Sequence, residues 1–325
     1  MNNQSVECGC DEIPQSLLST DQALTTLTNA AKVINATEFV ALDEALGRIL
    51  ATNILSNINV PGFDNSAMDG YAIHLKKDQI NTPGGISFEI TGRIPAGTTG
   101  HELKPGCAAR IFTGAPTPKG ANTVIMQEEC ELIEGDSKIE IYRPINLNEN
   151  IRPMGNDIKI DDIILKKGLK LKPQAIALAA SIGIGQLEVF KKIKVGVFFT
   201  GDELVKPGDT LEPGQIYDSN RYALTALLKN LDCDIINLNH VQDTLDDTVK
   251  ALALLQDKCD LIITTGGVSV GEEDHVKPAV EQLGKLDLWR IKMKPGKPLA
   301  FGQVGQSAFI GLPGNPVSAM VTFLL

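Results

Sequence analysis

Hydrophobic and polar positions change their spacing along the chain, and these changes mark out its parts. Residues 20–31 carry apolar side chains at helical intervals, with Thr20 or Asp21 as cap, which predicts a helix. Between about 58 and 160, glycine, proline and threonine are frequent and apolar runs are short, which is typical of a β-rich domain. From Lys194 onward, short apolar runs alternate with amphipathic stretches, so we expect strands alternating with helices.

The C-terminal half has the pattern of an α/β domain. Strands that alternate with helices imply right-handed crossovers and a parallel sheet with helices on both faces. Ligands of such domains bind beyond the carboxyl ends of the strands. The predicted elements are, in chain order, a strand at 195–199, a helix at 218–231, a strand at 234–238, a helix at 243–255 capped by Asp243 or Thr244, a strand at 261–265, a helix at 274–283, a hairpin at 289–301 and a helix from Pro316.

Composition and charge narrow the class of protein. A chain of 325 residues with 43% hydrophobic and 22% charged residues suits a soluble protein of two or three domains. The formal net charge of -10 argues against non-specific nucleic-acid binding, and no apolar run is long enough to span a membrane. Residues 1–16 are polar and acidic, which predicts a disordered tail rather than a secretory signal and favours a cytoplasmic protein.

Two further features concern cysteine and the end of the chain. Cys8 and Cys10 form a C-x-C pair without a second pair or a histidine nearby, so reduced thiols are favoured over a structural zinc site. The last segment, 317–325, is apolar and ends without a glycine or a basic turn. We therefore expect that a further domain follows Leu325 in the intact protein.

One candidate anion site is the turn before the last helix. Pro313 and Gly314 form a turn, Asn315 is a favoured N-cap, and Pro316 suits the first helical position. The first backbone amides of the helix and the Ser318 hydroxyl would then be free to face an anion. The alternative is a well-capped helix that binds nothing, and this turn alone does not decide between the two.

A second candidate lies between Thr264 and Asp274. Gly266 and Gly267 directly follow a predicted buried strand, where a bare backbone can approach a phosphate closely, and Ser269 adds a hydroxyl. The segment matches neither a dinucleotide fingerprint nor a P-loop. Its three acidic residues, which end at Asp274, suit a bound cation or a repulsion that orients a ligand. A plain strand-to-helix turn would explain the glycines almost as well.

Two more segments carry charge at turns. Lys294 and Lys297 flank a rigid Pro-Gly turn, which would present two ammonium groups to a phosphate or oxyanion unless the turn is simply a solvated hairpin tip. Asp202 and Glu203 follow the first strand of the α/β domain, where carboxylates suit Mg²⁺ ligation or proton transfer. Ordinary loop acidity or helix capping is the alternative for these two acids.

The β-rich part contributes a further set of polar residues. The segment 61–71 is dense in turn formers and small polar groups, and Asp157 follows a stretch that begins with Arg152. No Ser-His-Asp arrangement is evident, and four histidines do not make a histidine-rich metal site. Together, the glycine turns, the lysines and the carboxylates are typical of a protein that binds and cleaves a phosphorylated small molecule.

Eight segments, in order, resemble the signature segments of the MoeA-type molybdopterin molybdenumtransferases, a family that includes the E domain of gephyrin. The resemblance extends from about residue 17 to the end of the chain. The segments are PGFDNSAMDGYA (61–72), RIFTGAPTPKGANTVIMQE (110–128), IRPMGNDI (151–158), FFTGDEL (198–204), GQIYDSNR (214–221), TTGGVSVGEED (264–274), KPGKPLAFG (294–302) and GLPGNPVSA (311–319).

The resemblance implies a fold class and a reaction. It implies a three-layer α/β domain (17–36 plus 188–325) similar to the pterin adenylyltransferases, an elongated linking domain (37–57 plus 161–187) and a β-rich domain (58–160), with the family's C-terminal domain absent. It also implies a homodimer, with a molybdopterin adenylyltransferase and apo-molybdoenzymes as candidate partners. The family's reaction inserts molybdate into molybdopterin-AMP and releases AMP, with Mg²⁺ or Zn²⁺ as cofactor.

The resemblance further implies roles for particular residues. The expected catalytic residues are Asp69, Thr113, Glu203, Asp243 and Asp274, of which the last three would also hold the metal. Asp69 and Asp274 would meet only in the dimer. The expected substrate-binding residues are Arg152, Asp157, Asp218, Ser219, Gly266, Gly267, Ser269, Lys294, Lys297, Pro313, Asn315, Pro316 and Ser318.

Two other functions share parts of this pattern. A molybdopterin adenylyltransferase needs only the α/β part, so the additional β-rich domain and the 61–72 segment favour the transferase. A non-catalytic scaffold, as in gephyrin, would not need the carboxylates. Arg290 stands where relatives carry lysine, and because a planar guanidinium is not a point charge, the geometry of anion binding there is open.

Overall fold

The structure is a computed structural model in which part of the chain is described. The described residues are 17–80, 82, 85–267, 274–294 and 298–325. Several predictions therefore lie outside the described residues. They concern the tail at 1–16 with Cys8 and Cys10, the hydroxyl of Ser269, the side chain of Arg290 and the ammonium group of Lys297.

The chain divides into two compact units. One unit is Phe39–Val189, and the other is Phe190–Leu325 together with the segment up to Glu38. The division of the first unit into a linking domain and a β-rich domain stays a prediction. No helix among the described residues is both long enough and apolar enough to cross a membrane.

Short strands dominate the chain up to Phe190, as expected from its short apolar runs between turn formers. A 3₁₀ turn at Gln127–Glu129 follows one of them. The elements are α1 (Thr20–Ala30), β1 (Thr37–Ala41), β2 (Ile54–Leu55), β3 (Asn65–Ser66), β4 (Gly70–Ile73), β5 (Ile86–Ile94), β6 (Cys107–Ile111), β7 (Thr123–Met126), β8 (Glu131–Ile133), β9 (Lys138–Ile141), β10 (Ile151–Arg152), β11 (Ile163–Leu165), α2 (Pro173–Ser181) and β12 (Gln186–Phe190).

Six strands of the first unit form one mixed sheet, in the order β7-β4-β6-β5-β9-β8. β5 and β6 run parallel, and the other neighbours are antiparallel. Alternate residues of β9 are buried, so Ile139 and Ile141 enter a core that also contains Phe88 and Ile125. Gly70 in β4 allows β7 to approach closely, because a Cβ on Gly70 would lie 1.8 Å from the carbonyl oxygen of Ile125.

A second core in the same unit forms around α2. Pro173 is the first residue of this helix, where its fixed φ is favourable and no amide hydrogen is missed. Leu50, Leu171 and Leu187 are buried against the helix together with Ala179. β2 and β11, which contribute to this core, pair antiparallel. This core therefore joins chain segments that precede and follow the mixed sheet in sequence.

Strands and helices alternate after Phe190. The strands at 195–199 and 261–265 were predicted to within one residue at each end. The elements are β13 (Lys194–Thr200), β14 (Leu204–Val205), β15 (Ile216–Tyr217), α3 (Asn220–Asn230), β16 (Asp234–Val241), α4 (Leu245–Leu255), β17 (Leu261–Thr265), α5 (Val276–Leu283), β18 (Gly284–Arg290), β19 (Pro298–Val304), β20 (Ser307–Leu312) and α6 (Pro316–Leu324).

The second unit is built on a six-stranded sheet in the order β16-β13-β17-β20-β19-β18. The first four strands are parallel, as predicted. β19 and β18 are antiparallel to their neighbours, so the sheet is mixed, and the hairpin expected at 289–301 forms its antiparallel edge. The reason is the length of the connection, since only Gly305 and Gln306 join β19 to β20. A parallel crossover needs a dozen or more residues.

Helices cover both faces of this sheet. Phe198 lies in one core with Leu252 of α4, and α5 packs on the same side. Val197 points to the opposite face, where it lies in a core with Leu224 of α3 and Ala23 of α1. Successive residues of β13 thus serve different cores, as the pleat of a strand requires. The run of apolar residues without alternation is explained by this burial on two sides.

The cap of one helix differs from the prediction, and the cap of another is one of the two residues that were predicted. α1 is capped by Ser19 rather than by Thr20 or Asp21. The Ser19 hydroxyl accepts from the backbone amide of Gln22, and the side-chain oxygen of Gln22 accepts from the backbone amide of Ser19. α4 is capped by Thr244, whose hydroxyl accepts from an amide in the first turn. Asp243 therefore has no capping role in α4.

Candidate active site

Four neighbouring parallel strands of the second unit end at one edge of its sheet. In an α/β domain this carboxyl edge is where ligands bind. The structure brings to it four groups of residues that are far apart in sequence. These are Asp243 after β16, Gly201–Glu203 after β13, Gly266–Gly267 after β17 and Pro313–Asn315 after β20.

Carboxylates at this edge are close enough to influence Asp243. Burial is the main cause that raises the pKa of Asp243, and the nearby His275 imidazole opposes it. The negative charges of Asp202, Glu203 and Asp274 raise the pKa of Asp243 further. The predicted acidic residues Glu203, Asp243 and Asp274 are therefore brought together with Asp202 in one region of negative potential.

Gly201 shapes the turn that carries Glu203. Its φ of +140° lies in a region that favours glycine, and a Cβ there would be 2.5 Å from Oε2 of Glu203. The Glu203 carboxylate is thus folded back over the bare backbone of the turn. The Nε2 atom of His240 donates to the carbonyl oxygen of Gly201 at 3.0 Å, which ties the end of β16 to the turn after β13.

The chemistry of these side chains fits a divalent cation. Carboxylate oxygens are the ligands that Mg²⁺ prefers, and a cation would offset the burial and the repulsion that together raise the pKa of Asp243. Among the described residues, no three His, Cys, Asp or Glu side chains converge closely enough to hold an ion. Glu272 and Glu273 lie outside the described residues. Glu203, Asp243 and Asp274 therefore have suitable donor chemistry but do not converge in the described structure, and their binding of a metal stays a prediction.

The two glycines after β17 pack tightly against neighbouring backbone and side chains. Gly266 and Gly267 have φ values of +85° and +64°. A Cβ on Gly267 would lie 2.5 Å from Cγ2 of Val276, and one on Gly314 would lie 3.6 Å from the Cα of Gly266. The Thr200 side chain beside this turn is only 5% exposed, and its hydroxyl has no hydrogen-bond partner among the described residues. Neighbouring atoms therefore lie close to the backbone of these glycines, whereas the binding of a phosphate by this turn stays a prediction.

The turn before α6 differs from the expected anion site. Asn315 caps the helix, and its Oδ1 accepts from the backbone amides of both Val317 and Ser318 at 3.1 Å. The expectation that these amides are free is therefore wrong, because the cap already satisfies them. The Ser318 side chain is also buried. Asn220 of α3 donates to the carbonyl oxygen of Gly314 at 2.7 Å and so fixes the turn.

The remaining predicted residues of this unit vary in their exposure. α3 begins two residues later than predicted, and Asp218 is buried with its Oδ1 accepting from the backbone amide of Arg221 at 3.0 Å. Ser219 is exposed and makes no capping hydrogen bond. Lys294 and Pro316 are exposed. The roles of these residues in substrate binding stay predictions.

A separate polar cluster lies in the first unit, around Asp69 and Thr113. Gly70 of β4 is paired with Ile111 of β6, so the residues just beyond this pair are neighbours. Oδ1 of Asp69 accepts from the Thr113 hydroxyl at 2.7 Å and from the Thr113 backbone amide at 2.8 Å. These bonds, in that order, lower the pKa of Asp69, and the positive charge of Arg110 lowers it further.

Arg152 and Asp157 lie in the same unit as Asp69. Arg152 is in β10 and pairs with Asn65 of β3, and its side chain is exposed. Asp157 is exposed too, and its Oδ1 accepts from the side-chain amide of Asn156 at 2.8 Å. The loop that contains Asp157 is fastened by Asp64, whose carboxylate accepts from a backbone amide at 2.7 Å. Both predicted residues are therefore accessible to a ligand.

Several polar residues at these clusters are absent from the predictions. Arg110 and Thr200 are polar positions within strands whose other members are mostly apolar, and that exception is a signal visible in the sequence. Asn220, His240 and His275 carry no comparable signal. Their involvement depends on which strand ends are neighbours, and this is fixed by the sheet order.

Two family models match the chain. Residues 18–183 match the model described as the MoeA N-terminal region (domain I and II), and residues 196–325 match the model described as a probable molybdopterin binding domain. A molybdopterin molybdenumtransferase of Haemophilus influenzae is 44% identical over 308 residues, which cover 94% of this chain and 75% of the relative. One from Nostoc sp. is 39% identical over 297 residues, which cover 88% of this chain and 67% of the relative.

A solved structure agrees with the sequence relatives. The molybdopterin biosynthesis MoeA protein from Pyrococcus horikoshii OT3 matches this fold with a TM-score of 0.81 at 31% identity, covering 95% of this chain and 77% of that one. The family models together span both compact units, and the relatives span nearly the whole chain. The chain therefore belongs to the family of MoeA-type molybdopterin molybdenumtransferases.

Proposed function

We propose that this chain is a molybdopterin molybdenumtransferase that inserts molybdate into adenylated molybdopterin and releases AMP, in molybdenum cofactor biosynthesis. The observation that carries the proposal is the group of carboxylates around Asp243 at the carboxyl edge of the parallel strands. A cluster of carboxylates at a ligand-binding edge suits a reaction in which a metal ion is bound both by the enzyme and by the phosphoanhydride of the substrate. Relatives at 44% and 39% identity carry this enzyme's name.

The proposed metal is Mg²⁺, with Zn²⁺ as the other candidate, and Glu203, Asp243 and Asp274 would hold it through their carboxylate oxygens. When bound, such an ion supplies Lewis-acid stabilisation of the charge that develops on phosphate oxygens. Lys294 and Lys297 would neutralise phosphate or molybdate. The buried Ser318 hydroxyl would reach an anion only if the Asn315 cap moved, since the cap lies against it at 3.4 Å.

The glycine turn and the Asp69 cluster have roles that their geometry allows. Gly266 and Gly267 would let a phosphate of the substrate approach the backbone, with Ser269 as an additional donor. Asp69, ionised and held by Thr113, would orient a hydrogen-bond donor of the substrate. Further binding residues in this proposal are Arg152, Asp157, Asp218, Ser219, Lys294, Pro313 and Pro316.

The proposal extends to the setting in which the enzyme works. We propose a cytoplasmic homodimer whose substrate comes from a molybdopterin adenylyltransferase and whose product passes to apo-molybdoenzymes. The α/β sheet with helices on both faces is similar, in this proposal, to the fold of the pterin adenylyltransferases. The relation is supported by the match of residues 196–325 to a probable molybdopterin binding domain.

The test is AMP release from molybdopterin-AMP by the purified protein, measured chromatographically with and without molybdate and Mg²⁺. The transferase should release AMP only when both are present, and replacement of Mg²⁺ by Zn²⁺ after chelation will identify the metal. Consumption of ATP with molybdopterin as acceptor would instead support an adenylyltransferase. A protein that performs neither reaction but binds peptides tightly would support a scaffold.

A further inference from the structure

Arg110 contacts the sequence neighbours of both Asp69 and Thr113. It lies in β6, directly opposite Tyr71 of β4. The central carbon of its guanidinium is 5.2 Å from the ring centroid of Tyr71 and 4.7 Å from that of Phe112, distances typical of cation–π contacts. Two aromatic rings therefore restrict the position of this guanidinium.

The terminal nitrogens of Arg110 hold the backbone around Asp69. Nη1 donates to the carbonyl oxygen of Gly70, the residue after Asp69, at 2.8 Å. Nη2 donates to Oε1 of Gln127, and the backbone amide of Gln127 donates to the carbonyl oxygen of Asp69 at 3.0 Å. The guanidinium thus closes a ring of contacts that passes through Asp69, Gly70 and Gln127.

The same guanidinium reaches Thr113 through Phe112. Phe112 immediately precedes Thr113, whose hydroxyl and amide both bond to Asp69. Stacking on Phe112 therefore fixes the start of the turn that supplies both donors. A planar guanidinium can bond two acceptors and stack on a ring at once, whereas a lysine ammonium offers a point charge without the flat surface.

Two charged groups, Arg110 and Glu128, lie close enough to the Asp69 carboxylate to interact with it, and a third, Arg93, lies beside Arg110. Arg93 of β5 is in register with Arg110 and lies 4.7 Å from the Phe112 ring. Glu128 accepts from the side chain of Gln127 at 2.9 Å. Hydrogen bonding is the main cause that lowers the pKa of Asp69 and of Glu128, and the charge of Arg110 lowers both further. Arg110 is therefore also an electrostatic partner of both acids.

We infer that Arg110 is a positioning residue, which fixes the backbone beside Asp69 and Thr113 so that the Asp69 carboxylate keeps one orientation toward the substrate. The identity of that substrate rests on the proposed function. The positioning itself is a property of the free protein and can be measured without substrate.

The first measurement is the carboxyl titration of Asp69, followed by ¹³C NMR in the wild-type protein, in Arg110→Met and in Arg110→Lys. Arg110→Met removes the charge and both hydrogen bonds, so the pKa of Asp69 should rise toward its ordinary value. Arg110→Lys keeps the charge, so the pKa of Asp69 should stay closer to that of the wild type. Circular dichroism will establish that each variant is folded, and Arg110→Lys provides the second test if Arg110→Met is not.

The second measurement is the rate of AMP release from molybdopterin-AMP by the same proteins. Both variants should lose kcat by roughly tenfold, because a small misplacement of a reacting group is costly, while KM changes little. Arg93→Met is the matched control, since Arg93 stacks on the same ring but does not bond the Gly70 carbonyl or the Gln127 side chain, and it should retain the wild-type kcat.

The outcomes separate this inference from the proposed function. A raised pKa of Asp69 in Arg110→Met, together with wild-type protein that releases no AMP, would support the positioning and reject the proposed reaction. An unchanged pKa and kcat in folded Arg110→Met would overturn the inference. Equal losses in Arg93→Met and Arg110→Met would overturn it as well, because the bonds that distinguish them would then have no effect.

Discussion

Thr113 donates two hydrogen bonds to one oxygen of Asp69, from its hydroxyl at 2.7 Å and from its backbone amide at 2.8 Å. The pair is separated by 44 residues in sequence and exists because β4 and β6 are neighbours. Thr113→Val removes the hydroxyl donor and keeps the shape of the side chain. We expect AMP release to fall on the order of tenfold, since the carboxylate loses one of the two donors that fix its position.

Thr117→Val is the control for this variant. Thr117 lies four residues further along the chain, and its hydroxyl has no hydrogen-bond partner among the described residues. Removal of that hydroxyl should leave AMP release within about twofold of the wild type, as for most substitutions away from a specific interaction. An equal loss of activity in the two variants would show that the Thr113 hydroxyl has no particular role.

Gly70→Ala should destabilise the β-rich sheet. The added Cβ would lie 1.8 Å from the carbonyl oxygen of Ile125, so β4 and β7 must separate. We expect the free energy of unfolding to fall by about 3 kcal/mol, the upper end of the range for overpacking. Urea unfolding followed by circular dichroism will measure it. Gly92→Ala is the matched change in open space within β5, and a comparable loss there would refute the steric explanation.

Asn315→Ala tests the cap of α6. The variant loses the oxygen that accepts from the amides of Val317 and Ser318. We expect a loss of about 1 kcal/mol in the free energy of unfolding, which is typical for an N-cap. Asn315→Asp keeps an acceptor at this position and should remain close to the wild type in the same urea titration. If Asn315→Ala were as stable as the wild type, the cap seen in the structure would be unimportant.

The thiol of Cys130 should resist alkylation. Burial, aided by the charge of Glu129, raises the pKa of Cys130 to about 12. Only roughly a thousandth of such a thiol is ionised at pH 9, where a free cysteine is largely ionised. Between pH 8 and pH 10, iodoacetamide should therefore modify Cys130 at least about 100-fold more slowly than it modifies glutathione. Peptide mapping by mass spectrometry will measure the rates, and urea should abolish the difference.

Rapid alkylation of Cys130 in the folded protein would contradict this account of its environment. Only the thiolate reacts with iodoacetamide. The rate of alkylation of Cys130 should therefore increase about tenfold for each unit of pH, until the pH reaches the raised pKa of the thiol. A rate that levels off near pH 9 would show an ordinary thiol.

Local rules predict much of this fold. Apolar runs bounded by glycine or charged residues locate β13 and β17 to within one residue, and Asn315 followed by Pro316 locates the start of α6. These features depend on neighbouring residues, which the sequence displays directly. The cap of α1 was misplaced by one residue because Ser19 completes a capping box with Gln22 that competes successfully with Thr20 and Asp21.

Features that depend on strand neighbours are harder to predict. The antiparallel edge formed by β18 and β19 follows from short connections. The sequence predicted a hairpin here, but it did not show that the hairpin would extend the parallel sheet. The bond of Arg110 to Gly70 spans 40 residues, and no spacing rule pairs them. The resemblance to a family supplied residues such as Asp69 and Thr113, whereas their hydrogen bonds and the role of Arg110 come from the sheet order.

The central claim is that the acidic edge of the α/β unit carries the chemistry, and the most direct test is AMP release by Asp274→Asn. Loss of one negative charge beside Asp243 weakens cation binding, so the rate should fall at least about tenfold, or roughly 1.4 kcal/mol of barrier. Asp246→Asn, on a side chain that is 91% exposed in the first turn of α4, is the matched control and should keep the wild-type rate. Full activity of Asp274→Asn would contradict the claim.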